Sequence, residues 1–258
     1  MTQNFRHPEI LELARRQGKV SVEDLAAQFG VTVQTIRRDL SELAEAGRLE
    51  RVHGGAMLPS GVQNIGYDDR RSLNAAAKAR IAAACAAQIP DGASLFLNIG
   101  TTTEAVARAL LTHRDLMVVT NNLNIANILA QNPDCDVIVA GGSLRRSDGG
   151  LTGSLTMRMI EQFRTDIAVI GCSALDESGD LLDFDVAEVG VSQTILAHAR
   201  RRFVVADHSK WTRSAPARIA NLAEIDTFFT DQAPPQGVQT LCDQRDTKVV
   251  KIPTLIND

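Results

Sequence analysis

The chain has 258 residues, of which 44% are hydrophobic and 22% are charged, the composition of a globular protein with one or two domains. No apolar run approaches the roughly 18 residues of a membrane span, and the first ten residues lack the apolar core of a signal peptide. We therefore expect a cytoplasmic protein that does not contact membranes. Its four cysteines are far apart and its histidines form no ligand pair, which predicts no metal site. The net charge of −4 argues against a nonspecific nucleic-acid coat but leaves room for a localised DNA-reading face.

A change of composition near residue 58 predicts two domains. Residues 1–57 contain equal numbers of basic and acidic side chains, whereas the rest of the chain carries the whole net charge. The intervening stretch is rich in Pro, Gly, Ser and Asn without periodicity, which is typical of a linker. We expect a first domain at 1–57, a linker at 58–68 and a second domain at 69–258.

The pattern of the first domain predicts three short helices followed by a β-hairpin. Apolar spacing indicates one helix at 8–17 and another between the N-cap Ser21 and the stop signal Gly30. A third helix ends near residue 47 and turns its apolar side chains inward: Ile36, Leu40 and Leu43. Residues 48–52 and the glycines after them predict a strand and a turn, which together form a wing.

The third helix has the features of a DNA-recognition helix. The turn Gly30-Val31-Thr32 has the length that helix-turn-helix geometry needs, and polar donors lie near the N-terminal end of the next helix, where base edges are met. The predicted DNA contacts, including two from the wing, are Gln34, Thr35, Arg37, Arg38, Ser41, Arg51 and His53. One of Arg37 and Arg38 is expected to form a bidentate hydrogen bond with guanine while the other neutralises a phosphate. The helix faces alone do not show which arginine has which role. The alternative is a solvated helix in a small bundle.

The first domain has no net charge, so a single copy is expected to bind DNA weakly. Linking two or more copies raises affinity through effective concentration. We therefore expect a homodimer or a homotetramer.

The second domain predicts an α/β fold. A long helix at 69–89 is followed by apolar strands near 94–98, 117–120, 137–140, 167–171, 203–206, 227–230 and 249–252. Helical segments lie between most of them, at 103–111, 123–131, 155–163 and 187–200. Continuous Val and Ile runs separated by such helices favour a mostly parallel sheet, whose ligands collect outside the carboxyl ends of the strands.

One strand-end loop has the composition of a phosphate cradle. Gly100, Thr101, Thr102 and Thr103 follow a strand and open a helix, where backbone N–H groups and hydroxyls are able to bind a phosphate. Ordinary hydroxyl capping of a helix is the alternative.

Three further loops offer polar groups at the same edge of the sheet. Asn121 follows a strand and either binds a sugar hydroxyl or caps the next helix. Arg145 belongs to a glycine-rich stretch that predicts a flexible loop. The alternative for this loop is a solvated surface loop. Lys210 follows another strand and would place a point charge beside a phosphate. A lone lysine at a strand end is more often simply solvated, so this interpretation rests on its convergence with Gly100–Thr103.

An enzyme is the main alternative for the second domain. Asp183, Asp185 and Glu188 beside His208 are residues able to do acid–base chemistry on a sugar phosphate. The chain lacks G-x-S-x-G, Walker A, kinase and G-x-G-x-x-G signatures, and nothing singles out a nucleophile. We predict no catalytic residues and no cofactor.

Several stretches resemble the DeoR family of bacterial transcriptional regulators. The resemblance starts at Arg6-His7 and 31–43, continues through 53–56, and extends in order over nearly the whole chain. It implies a winged helix-turn-helix domain followed by a sensor domain similar in fold to ribose-phosphate isomerases and coenzyme A transferases. It also implies a repressor of a carbon-catabolic operon that leaves operator DNA when a phosphorylated metabolite binds. Within the family, stretches such as 119–124 and 207–210 imply glycerol 3-phosphate as that metabolite.

From these features we expect the effector phosphate on Gly100–Thr103, with charge from Lys210 and Arg145. Asn121, Asp185 and Glu188 are expected to contact hydroxyls or to shape the pocket. The sequence departs from the family pattern at two places near this pocket. Gly190-Val191 stands where basic residues are expected, and Thr103 stands where proline is expected.

Overall fold

The computed structural model describes residues 6–17, 19–46, 48–52, 54–57 and 66–252 of the chain. The chain divides into two compact units, one formed mainly by residues 1–61 and the other mainly by residues 62–258. Most of the predicted linker lies outside the described residues. Within the described ranges, no helix combines the length and the apolar character needed to span a bilayer.

The first unit consists of three helices and a small sheet. Its elements in chain order are α1 Arg6–Gln17, β1 Lys19–Ser21, α2 Val22–Phe29, α3 Val33–Glu45, β2 Glu50–Val52 and β3 Gly55–Met57. The three strands form an antiparallel sheet in the order β1-β3-β2. The hairpin of β2 and β3 is the predicted wing, whereas β1 was not predicted because three residues are too few to show an alternating pattern.

Local capping chemistry explains where the helices of this unit begin and end. The Ser21 hydroxyl accepts a hydrogen bond from the Asp24 amide at 3.0 Å, and Gly30 ends α2 in the left-handed conformation with φ of 64°. Thr32 caps α3 by accepting from the Thr35 amide at 3.2 Å. The predicted inward positions of α3 are buried in the core of the unit, which confirms the helix-turn-helix.

The second unit contains seven α-helices and twelve strands in its described part. The helices are α4 Tyr67–Ser72, α5 Ala75–Ala86, α6 Thr101–Ala109, α7 Leu123–Leu129, α8 Ser154–Ile160, α9 Val186–Ala197 and α10 Gln236–Gln244. The strands are β4 Ser94–Leu97, β5 Leu116–Thr120, β6 Cys135–Val139, β7 Ser143–Arg145, β8 Gly150–Thr152, β9 Thr165–Ile170, β10 Ala174–Leu175, β11 Asp180–Asp183, β12 Ala199–Val205, β13 Ala217–Asn221, β14 Thr227–Thr230 and β15 Lys248–Lys251.

A seven-stranded sheet forms the centre of this unit. Its order is β15-β14-β12-β9-β4-β5-β6, and every neighbouring pair is parallel. The apolar strand runs are buried against α5, α6 and α7, and the rings of Phe203 and Phe229 meet edge to face at 5.3 Å. The predicted parallel α/β sheet is confirmed. Strand order reverses between β4 and β9, which is the point where open α/β sheets bind ligands.

The single long helix predicted at 69–89 is wrong. Two helices, α4 and α5, replace it, because Leu73 is extended and Asn74 adopts a left-handed conformation with φ of 53°. The Asn74 side chain donates a hydrogen bond to Asp207 at 2.8 Å. Asparagine tolerates this conformation better than most residues, and a distant aspartate fixes it here, so local sequence did not reveal the break.

The flexible loop predicted around Arg145 is also wrong. Residues 143–152 form an antiparallel hairpin of β7 and β8, in which Leu144 faces Leu151. A second antiparallel sheet, β10-β11-β13, was not predicted, since β10 and β11 are short and β13 joins them across a long sequence separation. Both features have residues, described below, that lie beside the carboxyl edge of the central sheet.

Gly55 offers a test of the wing geometry. A Cβ atom at this position would lie 1.9 Å from the Val20 carbonyl oxygen of β1, whereas a Cβ at Gly54 meets nothing within 4 Å but has φ of +77°. We expect Gly55→Ala to cost more than about 2 kcal/mol, because two backbone segments must separate. Gly54→Ala is expected to cost about 1 kcal/mol from backbone strain alone. Urea unfolding followed by hydrogen exchange in residues 19–57 measures both, and equal stability of the two variants contradicts the geometry.

Candidate functional site

Helix α3 exposes a polar face that faces away from the core of its unit. Gln34, Arg37, Arg38 and Ser41 span about 100° of the helix circumference at 3.6 residues per turn. The first three are exposed and Ser41 is half-buried. Thr35 lies to one side, where its hydroxyl is 3.0 Å from that of the capping Thr32. The face therefore offers two guanidiniums, an amide and a hydroxyl within two turns of helix.

The wing touches this face through one side chain. Arg51 of β2 donates a hydrogen bond to the Ser41 hydroxyl, which in turn donates to the Arg37 carbonyl oxygen at 2.9 Å. Arg38 forms an exposed ion pair with Glu42 at 3.0 Å, a contact of little energetic value that DNA is able to displace. His53 was also predicted to contact DNA and lies outside the described residues.

An ion pair that the sequence analysis missed fixes the position of α3. Arg6 of α1 donates to Asp39 through Nε at 2.7 Å and through Nη2 at 3.2 Å, and Asp39 is buried. Such a bidentate contact sets both the distance and the orientation of the two helices. The sequence singled out Arg6-His7 only through the family resemblance. Nothing in the spacing between Arg6 and Asp39 indicated that the two residues form an ion pair.

His7, Asp39 and Glu42 also come close enough together to hold a metal ion. Arg6 and Arg38 already pair with the two carboxylates, and His7 lies 3.6 Å and 3.5 Å from them. The geometry therefore supports a cluster of ion pairs that joins α1 to α3.

A polar cleft opens where β4, β9 and β12 end, which includes the switch point of the sheet. The cleft is lined by Arg70, Ile99, Gly100, Thr101, Thr102, Asp148, Gly171, Cys172, Ser173, Asp183, Glu188, Val205 and Lys210. Five of the nine residues predicted for the effector site are in this lining: Gly100, Thr101, Thr102, Glu188 and Lys210.

The loop before α6 presents main-chain donors to the cleft. Gly100 has φ of 146°, a backbone conformation that favours glycine, and it supplies no side-chain cap to α6. The first amides of a helix have no intrahelical partner, so this end of α6 is suited to bind an anion. Thr103 takes another role: it is buried, and its hydroxyl donates to the Gly100 carbonyl at 2.7 Å. It is outside the lining of the cleft.

Arg145 holds three carboxylates together beside the cleft. Its guanidinium contacts Asp148 at 2.9 and 2.7 Å, Asp185 at 2.8 Å and Glu188 at 2.5 Å. Burial lowers the pKa of Arg145, but the carboxylates outweigh burial and raise it overall. For Asp148, burial is likewise outweighed by Arg145 and Arg70, which hold its pKa below the usual value. These contacts join the β7–β8 hairpin to the start of α9.

Glu188 is the acidic group whose environment is least favourable to charge. It is buried on α9, and burial together with nearby Asp183 raises its pKa to about 8, although Arg145 acts in the opposite direction. Arg145 cannot fully balance Glu188, since it also serves two other carboxylates. At neutral pH a proton on Glu188 therefore reduces the negative charge at the cleft.

Lys210 is held at the cleft by a buried aspartate. Asp207 accepts from Asn74 at 2.8 Å and from the Ser209 hydroxyl at 2.6 Å. Burial opposes its ionisation, but Lys210, Ser209 and Lys78 outweigh burial, and the pKa of Asp207 falls to about 2. Asp207 thus remains charged and keeps Lys210 beside the end of β12.

Four predicted effector residues lie outside the lining of the cleft. Arg145 and Asp185 reach it indirectly, through their contacts with Asp148 and Glu188. Asn121 is buried and donates to the Leu151 carbonyl at 3.1 Å, a contact that holds the β7–β8 hairpin. Thr103 is the fourth. The geometry gives these residues positioning contacts, and their role toward an effector stays a prediction.

Three charged residues of the cleft were missed by the sequence analysis as effector contacts. Asp148 belongs to the supposed flexible loop, Asp183 was considered only for an enzyme, and Arg70 was placed inside the supposed long helix. No local motif marked them, because they converge only through the breaks and hairpins that tertiary contacts create.

Two family models match the chain over most of its length. A model described as the DeoR-like helix-turn-helix domain matches residues 6–62, and one described as the DeoR C terminal sensor domain matches residues 73–232. The chain belongs to the DeoR family.

Curated relatives cover both units of this DeoR-family protein. It is 47% identical to the glycerol-3-phosphate regulon repressor of Escherichia coli, over 94% of this chain and 97% of that protein. It is 46% identical to the protein of the same name in Haemophilus influenzae, over 97% of each chain. The HTH-type transcriptional repressor CsqR of Escherichia coli is 41% identical over 93% of this chain and 92% of its own.

Solved structures also resemble the DeoR-family chain. Ribose 5-phosphate isomerase A from Methanocaldococcus jannaschii matches with a TM-score of 0.40 and 15% identity, over 54% of this chain and 55% of that chain. The eIF2B beta subunit from Chaetomium thermophilum matches with a TM-score of 0.46 and 14% identity, over 66% and 53% of the two chains.

The two departures from the family pattern have different surroundings. Gly190 lies on the side of α9 that faces α8, where a Cβ atom would be 3.2 Å from the Met157 sulfur. Val191 is buried. Neither is in the lining of the cleft, and the hydroxyl of Thr103 is used within the first turn of α6, where it donates to the Gly100 carbonyl. The cleft of this chain is therefore built without basic residues at 190 and 191.

The raised pKa of Glu188 predicts how stability depends on pH. Between its ordinary value of 4.5 and about 8, the folded protein binds a proton that the unfolded chain releases. The stabilisation of the folded protein by this proton is fully present at low pH and is lost as pH rises to about 8. The unfolding free energy falls by at most about 1.4 kcal/mol per pH unit over this range. His208, whose pKa is raised mainly by its hydrogen bond to Asp231, acts in the same direction, so variants must be compared with the wild type.

We expect Glu188→Gln to flatten the decline in unfolding free energy between pH 4.5, the ordinary pKa of this carboxyl, and about pH 8. Urea unfolding at fixed ionic strength measures it, with the exposed Glu177→Gln as control. A decline as steep in Glu188→Gln as in the wild type contradicts the protonated state.

Proposed function

We propose that the protein is a transcriptional repressor of genes for glycerol 3-phosphate use, and that a phosphorylated effector releases it from operator DNA. The observation that supports DNA reading is the exposed face of α3, with two guanidiniums, an amide and a hydroxyl beside the wing. Full-length similarity to two proteins named glycerol-3-phosphate regulon repressor supports the regulon.

In this proposal α3 lies in the major groove and the wing contacts the flanking backbone. One of Arg37 and Arg38 binds guanine O6 and N7, and the other neutralises a phosphate. Gln34, Thr35 and Ser41 supply shorter polar contacts, and Arg51 and His53 belong to the wing. The ion pair between Arg6 and the buried Asp39 keeps α3 in position without contacting DNA.

The proposed effector site is the cleft at the switch point of the sheet. Glycerol 3-phosphate places its phosphate on the amides and hydroxyls of Gly100, Thr101 and Thr102, with charge from Lys210. Glu188 faces the glycerol hydroxyls, and Thr103, Asn121, Arg145 and Asp185 hold the walls of the site.

The effector must favour one arrangement of the DNA-binding domains, because only differential affinity shifts an equilibrium. A hundredfold loss of DNA affinity requires a coupling free energy of about 2.7 kcal/mol.

The domain organisation and assembly belong to the same proposal. Residues 1–57 read DNA, residues 58–68 form the linker and residues 69–258 sense the effector. The first domain has eight basic and eight acidic residues, so two or four copies are needed for tight operator binding. The protein acts in the cytoplasm, where its DNA is.

An enzyme that converts sugar phosphates is the competing function. Asp183 and Glu188 line the cleft, but Asp183 is held by the Ser173 hydroxyl at 2.8 Å and by the Phe184 amide at 2.7 Å. Relatives over the full length are named repressors, which favours a regulator. Turnover of a sugar phosphate by the full chain would favour an enzyme over a repressor.

Loss of either arginine of the reading face tests DNA recognition. We expect Arg37→Ala and Arg38→Ala to weaken operator binding by about tenfold to hundredfold, the cost of one specific contact. The variant that loses a phosphate contact also lowers the salt dependence of binding by about one unit of slope. Fluorescence anisotropy at several salt concentrations measures both effects, with the exposed Arg158→Ala of α8 as control. Unchanged binding in both α3 variants rules out α3 as the reading helix.

Loss of the phosphate contacts tests the effector site separately. Thr102→Val and Lys210→Gln are expected to bind operator DNA like the wild type, but to need at least tenfold more glycerol 3-phosphate for release. Titration of preformed complexes with the effector measures this, and Arg158→Ala again serves as the control. A normal response in both variants places the effector elsewhere.

A further inference from the structure

Helix α4 is attached to the second unit by polar contacts. It has six residues and buries no side chain, whereas α5 buries six. A helix this short is not stable on its own. Its position therefore depends on a few hydrogen bonds and ion pairs, which a ligand is able to exchange at small cost.

The first of these contacts joins α4 to the helix that carries the phosphate loop. The Tyr67 hydroxyl lies 2.8 and 2.9 Å from the two carboxylate oxygens of Glu104 and accepts a hydrogen bond from Asn124 at 3.0 Å. Glu104 is buried on α6, two residues after Thr102. Burial and the Glu104 carboxylate raise the pKa of Tyr67 to about 12, so the hydroxyl remains a donor.

A second contact involves the main chain of Arg70. Its carbonyl oxygen accepts hydrogen bonds from the Lys78 ammonium and from the Thr101 hydroxyl, the latter at 3.4 Å. Thr101 is also a proposed phosphate ligand. A phosphate that takes the Thr101 hydroxyl therefore removes a support of α4.

The Arg70 side chain lies in the cleft with part of its donor capacity unused. Nη2 donates to Asp148 at 3.2 Å, but Asp148 already accepts two shorter bonds from Arg145. Nε of Arg70 is buried and makes no hydrogen bond to any described residue. Nε and Nη2 form the edge with which arginine binds a carboxylate or phosphate in bidentate fashion, so this edge is only half engaged.

We propose that Arg70 binds the phosphate of the effector, and that α4 is the element through which an occupied cleft changes DNA binding. This inference rests on the proposed function, since it assumes a phosphorylated effector at Gly100–Thr102. Nine residues separate the end of β3 from the start of α4, so α4 is the first element of the second unit along the chain. When phosphate takes Arg70 from Asp148 and the Thr101 hydroxyl from the Arg70 carbonyl, α4 loses two of its supports while those of Tyr67 and Lys78 remain. The helix then loosens, which changes how the DNA-binding unit is tethered.

The role of α4 is tested without effector. Tyr67→Phe removes the hydroxyl and leaves the residues that line the cleft intact. We expect it to weaken DNA binding at least fivefold and to speed hydrogen exchange in residues 67–72, because a docked α4 supports the DNA-binding state. The exposed neighbour Arg71→Gln is the control and is expected to bind DNA within twofold of the wild type. Wild-type affinity and exchange in Tyr67→Phe would overturn the role of α4.

The role of Arg70 is tested with glycerol 3-phosphate. By calorimetry, Arg70→Gln is expected to bind it at least tenfold more weakly, and Arg70→Lys to recover part of the loss, since lysine keeps the charge but not the bidentate edge. Tyr67→Phe is expected to bind it no more weakly than the wild type, yet to show a smaller ratio of DNA affinities with and without effector. A merely structural role would lower the melting temperature and leave these ratios unchanged, and wild-type effector affinity in Arg70→Gln would overturn the assignment.

Failure of the proposed function is visible in a different measurement. A wild-type complex that glycerol 3-phosphate does not release contradicts the effector, while the DNA affinity of Tyr67→Phe without effector still decides the role of α4. In that case inorganic phosphate is the probe for Arg70. Equal protection of the wild type and Arg70→Gln by phosphate against thermal unfolding would overturn Arg70 as a phosphate ligand.

Discussion

The guanidinium of Arg145 contacts three carboxylates, and the shape of the cleft depends on these contacts. Asp148 comes from the hairpin between β7 and β8, and Asp185 and Glu188 come from the start of α9. Without the cation, like charges would repel the two elements that form one wall. Burial of Glu188 and the charge of nearby Asp183 favour a proton on Glu188, and the one guanidinium of Arg145 does not outweigh them. An anionic ligand must then find its positive partners elsewhere, on the amides that open α6, on Lys210 and on the open edge of Arg70.

A similar arrangement sets the reading helix of the first unit. Its apolar face packs into the core of the unit, but apolar contacts alone allow a helix to rotate or slide. The bidentate contact between Arg6 and buried Asp39 fixes its orientation. In both units, apolar burial supplies stability, and a few charged contacts set the geometry of a polar surface. The charged contacts of the second unit are within reach of a ligand, so they are the ones that an effector is able to change.

Local patterns predicted the elements that local chemistry determines. The cap at Ser21, the stop at Gly30 and the inward stripe of α3 follow from short-range rules, and the parallel sheet follows from its continuous apolar runs. The break at Asn74 did not, because Asp207 holds it from 133 residues away. The hairpin around Arg145 was missed because its glycines also fit a loop. Arg70 and Asp148 became part of the cleft only through these two features, so the cleft could be predicted at the phosphate loop and at Lys210 but not at its opposite wall.

In the proposed function, one phosphorylated metabolite bound in the cleft controls operator binding. The most direct test is fluorescence anisotropy of the full chain on duplex DNA from upstream of its own gene, at one fixed salt concentration because phosphate contacts make affinity salt-dependent. Glycerol 3-phosphate is titrated against other sugar phosphates and against glycerol. We expect tight, sequence-specific binding that glycerol 3-phosphate releases and glycerol does not. Absence of specific DNA binding, or release by none of the phosphorylated compounds, would contradict the proposed function.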